Sequence, residues 1–135
     1  MSRNAKRATA ALLALVAATA TAFAAEPSLT ANLWSIVEMD GKRVGKPATI
    51  RFTRIRWLGM NTACGPLSGW YRRSGSTLRI HIIGDTLYSG SYGSPCQGID
   101  YQLLLGRVRT YQADGGGFIL LGTDDKPIAR LIEKK

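Results

Sequence analysis

The sequence predicts a mainly β domain of the α+β class, built from short antiparallel strands, one amphipathic helix and one disulfide. Three observations carry that expectation. Apolar and polar residues alternate in short runs bounded by Gly, Asp, Ser or Pro. One later segment changes to helical spacing. The only two cysteines, Cys64 and Cys96, lie in a chain whose first residues mark it for export.

Export is read from the first 24 positions. Arg3, Lys6 and Arg7 form a positive segment, followed by the apolar run "ATAALLALVAATATA" and by Ala22-Phe23-Ala24. That is the pattern of a secretory signal peptide, with cleavage expected between Ala24 and Ala25. A membrane anchor needs about 20 strongly apolar residues, and this run is short, rich in Ala and Thr, and ends at Glu26-Pro27. No cysteine stands immediately after the expected cut, where Ala25 is found, and no twin arginine precedes it, so the mature protein is expected to be soluble and periplasmic or secreted. The expected organisation is a signal peptide at 1–24, an extension at 25–32 and one domain at 33–135. Loss of three basic residues lowers the formal charge from +9 to +6. The mature domain stays basic.

Each element has a local reason. "LWSIVEM" reads as a strand, and Asp40-Gly41 as a hairpin turn. In "ATIRFT", Ile50 and Phe52 share one face, against Arg51 and Thr53. "IRWLGM" reads as a further strand, with Ile55 and Trp57 alternating against Arg56 and Leu58. "GWYRR" and "TLRIHII" flank a turn at Ser74-Gly75. In the second of these, Leu78, Ile80 and Ile82 face one way, and Arg79, His81 and Ile83 the other. Tyr101, Leu104, Leu105, Val108 and Tyr111 then recur at helical spacing, so a helix is expected until "ADGGG" stops it. Gly106 weakens that helix by about 1 kcal/mol relative to Ala. "FILL" and "IARLI" form a closing hairpin around "GTDDK".

In an oxidising compartment two lone cysteines are expected to bond to each other. Closing a loop of about 33 residues contributes about 3.7 kcal/mol in the chain-entropy account. A redox pair would show Cys-x-x-Cys, which is absent. Cys64 precedes Gly65-Pro66, so it is read as a strand end stapled to a distant loop.

Trp34, the turn at Asp40-Gly41, Ile50 and Phe52, then Gly59 leading to Ala63-Cys64, and Gly69-Trp70-Tyr71, follow one another in order. "TLRIHI", Thr86, Cys96, the segment with Leu103, Leu104, Val108 and Tyr111, then "GGFILLG" and "PIARLI", complete the series. This order resembles the META domain (HslJ-like) proteins of the bacterial envelope, over nearly all of 33–132. The chain departs from the family where Ala63-Cys64-Gly65 replaces the usual Gly-Cys-Asn. The resemblance implies a small antiparallel, barrel-like sheet with a helix packed on it. It also implies an envelope protein without an established enzymatic activity, some members being heat-inducible. Trp34, Phe52, Gly69, Tyr71, Leu104 and Val108 are carried over as packing positions and Cys64–Cys96 as the bridge; the family offers no shared catalytic set.

Chemistry has few candidates. His81 is the only histidine, and alternation puts it on an outer strand face beside Arg79. A triad would need it together with Ser68, Ser91 or Ser94, yet no Gly-x-Ser-x-Gly elbow occurs. One histidine, a bonded cysteine pair and scattered carboxylates give no tetrahedral metal set, and no cofactor is expected. The loop "SGSYGS" lacks the lysine and the helix of a phosphate cradle, though Tyr88 and Tyr92 make it a possible partner contact. Trp34, Trp57, Trp70 and Tyr71 are expected to pack inside, with one of the neighbours Trp70 and Tyr71 exposed and Tyr71 inward.

Arg51, Arg54, Arg56, Arg72, Arg73 and Arg79 cluster in neighbouring strands. A solvated charged face is the ordinary reading; the sharper one is an anionic partner. Outside the cytoplasm nucleic acid is not expected, whereas lipopolysaccharide phosphates, acidic envelope polymers or an envelope protein fit. The expected function is a non-enzymatic, monomeric binding or stress-tolerance factor of the cell envelope. The alternative is an inhibitor of a secreted or periplasmic hydrolase, acting through the loop at 89–95.

Overall fold

The structure, a computed structural model, describes residues 28–83 and 96–135. The expected signal peptide, its Ala24/Ala25 junction and the loop at 89–95 lie outside the described residues. Among those residues eight strands form a closed antiparallel barrel in sequence order. They are β1 (Leu33–Met39), β2 (Lys42–Phe52), β3 (Trp57–Thr62), β4 (Gly65–Ser74), β5 (Thr77–Ile83), β6 (Thr110–Asp114), β7 (Gly117–Leu121) and β8 (Pro127–Glu133). Closure comes from pairing of β8 with β1, which removes sheet edges that would otherwise template aggregation. One short helix, α1 (Tyr101–Leu105), lies between β5 and β6.

The turns follow from their residues. Asp40 and Gly41 both have positive φ, 51° and 77°, the left-handed pair that a two-residue hairpin needs to match strand twist. Gly115 and Gly116 do the same between β6 and β7, with φ of 52° and 87°.

Alternation then fills the barrel. Trp34, Ile36, Ile50, Phe52, Leu78 and Leu131 are fully buried. Trp34 meets Phe118 edge to face, ring centroids 5.1 Å apart, and its Nε1 donates to the Leu29 carbonyl at 2.9 Å. That bond satisfies the polar end of a buried indole. It also fastens residues before β1: Leu29 is 1% exposed and belongs to the core, where full burial of a leucine contributes about 1.5–3 kcal/mol. The expected extension therefore contributes Leu29 to the barrel core, from a turn ahead of β1.

Two expectations are corrected. The helix stops at Leu105 rather than continuing through Tyr111. Val108 is buried beyond the helix, and Tyr111 lies in β6 opposite Leu120. A helix of one turn has no stability of its own, and residues 110–114 instead pair along β7, which the barrel needs to close. The expected closing hairpin is thus the second part of a three-stranded meander. The core anchor of α1 is Leu105, fully buried, whereas Leu104 is half-buried. Asp100 caps the helix, its Oδ1 accepting from the Leu103 N–H at 3.0 Å.

The second correction concerns "IRWLGM". The strand begins only at Trp57, and Arg56 has φ of 70°. Ile55 and Trp57 do lie opposite Leu58, as expected, but theirs is the outer side: both are exposed, while Leu58 and Met60 point inward. Trp57 is outside the barrel, not a core aromatic; Trp34 and Tyr71 are inside and Trp70, the neighbour of Tyr71, is outside, as expected.

The Cys64–Cys96 disulfide is present, with Cα atoms 5.7 Å apart. Cys64 sits in the turn between β3 and β4. Cys96 sits in a turn where its N–H and carbonyl exchange hydrogen bonds with Ile99, both 2.9 Å. The bridge pins the approach to α1 against the β3–β4 hairpin.

Candidate functional site: a basic and aromatic outer face

β4 and β5 form the longest uninterrupted hairpin ladder, from Ser68↔Ile83 to Ser74↔Thr77. Inward residues are Gly69, Tyr71, Leu78, Ile80 and Ile82; outward ones include the pairs Trp70↔His81 and Arg72↔Arg79. Gly69 is required by close approach. A Cβ there would lie 3.0 Å from the His81 carbonyl carbon and 3.0 Å from Ile82 Cα, with the His81 oxygen nearer still.

Above this ladder lies an open concavity of about 610 Å³. Arg56, from the β2–β3 turn, stands on one side; Gly106, the C-cap of α1, and Arg109, in the link from α1 to β6, stand on the other. Arg72, Arg73 and Arg79 complete the charged lining. The Arg72 guanidinium lies 5.9 Å from the Trp70 ring centroid, within cation–π range. Trp70 and His81 stack with centroids 5.1 Å apart and planes 28° apart. Arg73 donates from Nη1 to the Tyr111 hydroxyl at 3.2 Å. Arg109 Nη1 donates to the carbonyls of Gly106 and Val108, at 3.1 and 3.0 Å.

Five guanidinium groups thus share one depression. Among the described residues the ion pairs are Lys126–Asp40 at 4.0 Å and Arg130–Asp114 at 3.2 Å, and neither involves this face. Chemically, such a face can receive phosphate or carboxylate oxygens through fork-shaped N–H donors and offers an indole surface for an apolar or cyclic group.

Of the six arginines singled out in the sequence, Arg56, Arg72, Arg73 and Arg79 come together here. Arg51 is exposed on β2 opposite Gly59, and Arg54 is exposed in the β2–β3 turn; neither lines the concavity. Sequence reasoning missed Arg109, because its segment read as helix. It also left Trp70 and His81 unconnected, although "GWYRR" and "TLRIHII" around a short turn already make them cross-strand partners.

His81 is exposed on the outer face, as expected. Ser68 pairs with Ile83, not with His81, and Ser91 and Ser94 lie outside the described residues. No acidic side chain is buried and no group of three or more metal-ligating side chains forms among the described residues. No helix among them is long and apolar enough to cross a membrane. Burial pushes the hydroxyl pKa of Tyr71 and of Tyr101 above the ordinary tyrosine value, with Arg73 partly opposing the shift at Tyr71. Both hydroxyls therefore stay protonated.

No family model and no curated protein matches the chain. Among solved structures it is similar to a DUF4847 family protein from Bacteroides vulgatus ATCC 8482, with a TM-score of 0.57 and 16% identity, over 79% of this chain and 95% of that one. At that identity the likeness is one of fold alone.

Proposed function

We propose that the protein is a non-enzymatic, exported factor of the cell envelope, of the META (HslJ-like) type, that binds an anionic envelope component on its β4–β5 face. The observation that supports this is the gathering of Arg56, Arg72, Arg73, Arg79 and Arg109 around one concavity beside the Trp70–His81 stack. Placing Arg72 directly opposite Arg79 opposes stability, and a local cost of that kind is expected where a ligand supplies the missing negative charge. The disulfide is consistent with an oxidising compartment.

Lipopolysaccharide phosphates and acidic polymers have the matching chemistry. Binding to purified lipopolysaccharide at low and high salt tests the reading. Affinity should fall steeply as salt screens exposed charges, and the double substitution Arg72→Ala/Arg79→Ala should weaken it further. Binding that is indifferent to both would remove the anionic partner. The inhibitor reading rests on the loop at 89–95, outside the described residues, and no observation favours it.

A further inference from the structure

The β2–β3 turn carries a feature that anion binding alone leaves unexplained. Ile55 is 75% exposed, Trp57 50% and Trp70 36%. Trp57 and Trp70 are direct cross-strand partners on the outer face, so their rings form one patch with Ile55 at its end. The turn that raises Ile55 is firmly fastened. The N–H and Oγ1 of Thr53 both donate to the Trp57 carbonyl, at 2.9 and 2.7 Å, and the Tyr71 N–H donates to the Arg56 carbonyl at 2.9 Å. The Tyr71 hydroxyl donates to the Thr53 carbonyl from inside the barrel. An isoleucine is therefore held out into water at a fixed place.

Basic side chains surround it. Arg54 and Arg56 flank Ile55 in the chain, and Arg56 and Arg72 line a shallow groove of about 350 Å³ together with Ile55, Trp57 and Trp70. The same Arg56, Trp70 and Arg72 also line the larger concavity. Apolar tip, indole belt and guanidinium field are thus one continuous surface.

Resting on the reading of this face as anion-binding, we propose that its partner is an anionic lipid bilayer. Ile55 and Trp57 enter the boundary between headgroups and acyl chains, and the arginines meet headgroup phosphates. Charge complementarity and layering select this occupant. Tryptophan favours the membrane interface, where its ring is apolar and its N–H wet. Basic residues beside it are drawn to anionic headgroups within a Debye length. A projecting turn suits shallow insertion. A second copy of the chain fits less well, since a two-fold contact through this patch would set its arginines against their own copies.

The test uses vesicles of phosphatidylglycerol with phosphatidylethanolamine, vesicles of phosphatidylcholine alone, and soluble polyphosphate. The protein should sediment with the anionic vesicles only, and bromine on the acyl chains should quench tryptophan fluorescence. Ile55→Glu should weaken vesicle binding by at least about tenfold while leaving the melting temperature unchanged, its added carboxylate lowering polyphosphate binding to a smaller extent. Ile55→Ser, which adds no negative charge, should weaken vesicle binding in the same direction while leaving polyphosphate binding unchanged. Polyphosphate binding without vesicle binding, or vesicle binding that is unquenched and insensitive to both Ile55 variants, overturns the membrane proposal and leaves the anionic face standing. Failure to bind either probe at low salt removes both. Sedimentation of the protein by itself, abolished by Ile55→Ser, would assign the patch to self-association and overturn the proposal.

Discussion

Arg72 and Arg79 face each other directly across β4 and β5, on the outside of the barrel. Like charges in that position repel, and among the described residues no carboxylate stands between them. The Trp70 face takes up part of the Arg72 charge, and among the described residues nothing comparable is seen at Arg79. The pair is a local conflict retained on an otherwise regular hairpin.

Arg79→Glu turns that conflict into an attraction. The variant should unfold at higher urea concentration, with a gain of about 0.2–1 kcal/mol, while its binding to polyphosphate is largely lost. Opposite movement of stability and binding is the informative result. Loss of both together would mean that Arg79 supports the fold rather than a ligand.

The barrel was legible wherever a two-residue period and a turn pair coincided. Asp40-Gly41 and the run from Leu78 to Ile83 placed their residues correctly because each side chain's face follows from parity alone. The failures have physical causes. Leu104, Leu105, Val108 and Tyr111 fit a helical period, and only the demand for a β7 partner, a tertiary effect, turns residues 110–114 into strand. In β3 the alternation was legible but not its sign: Leu58 pairs with the buried Phe52 and so points inward, which leaves Trp57 on the outer face. The arginine cluster was visible as composition. Its geometry was not, because Arg109 reaches the concavity only through the early end of α1.

Gly69 offers a sharper test of the β4–β5 packing. An added methyl would collide with the His81 and Ile82 backbone, which cannot rotate away as a side chain could. Gly69→Ala should therefore destabilise the protein by about 1–3 kcal/mol. Gly59→Ala is the control: a Cβ there meets nothing within 4 Å. Urea unfolding of the two variants should separate them clearly, and equal effects would contradict the close approach.

The disulfide joins two turns that share no strand pairing. Replacing both Cys64 and Cys96 by alanine should lower stability by about 3–4 kcal/mol in the chain-entropy account. Hydrogen exchange should locate the early loss at residues 96–105, whose approach to the barrel the bridge pins. Uniform loss of protection around the whole ring would instead make the bridge a global element.

Tyr71 ties the fold to alkaline pH. Its ring is buried and packs edge to face on Phe52, its hydroxyl donates to the Thr53 carbonyl, and burial raises its pKa above 10.0 despite Arg73. The folded state thus holds the phenol proton more tightly than the unfolded chain does. This contribution to stability is complete below the ordinary tyrosine value and is lost as pH rises through it towards the higher folded value. Urea unfolding measured from pH 7 to pH 11 should show a decline that begins near the ordinary value. Tyr71→Phe keeps the ring contact but removes the bond and the titration. It should cost about 1 kcal/mol at pH 7 and flatten the alkaline decline, leaving the part due to Tyr101, whose burial shifts it the same way. An equally steep decline in the variant would mean that Tyr71 is not what loosens the barrel at high pH.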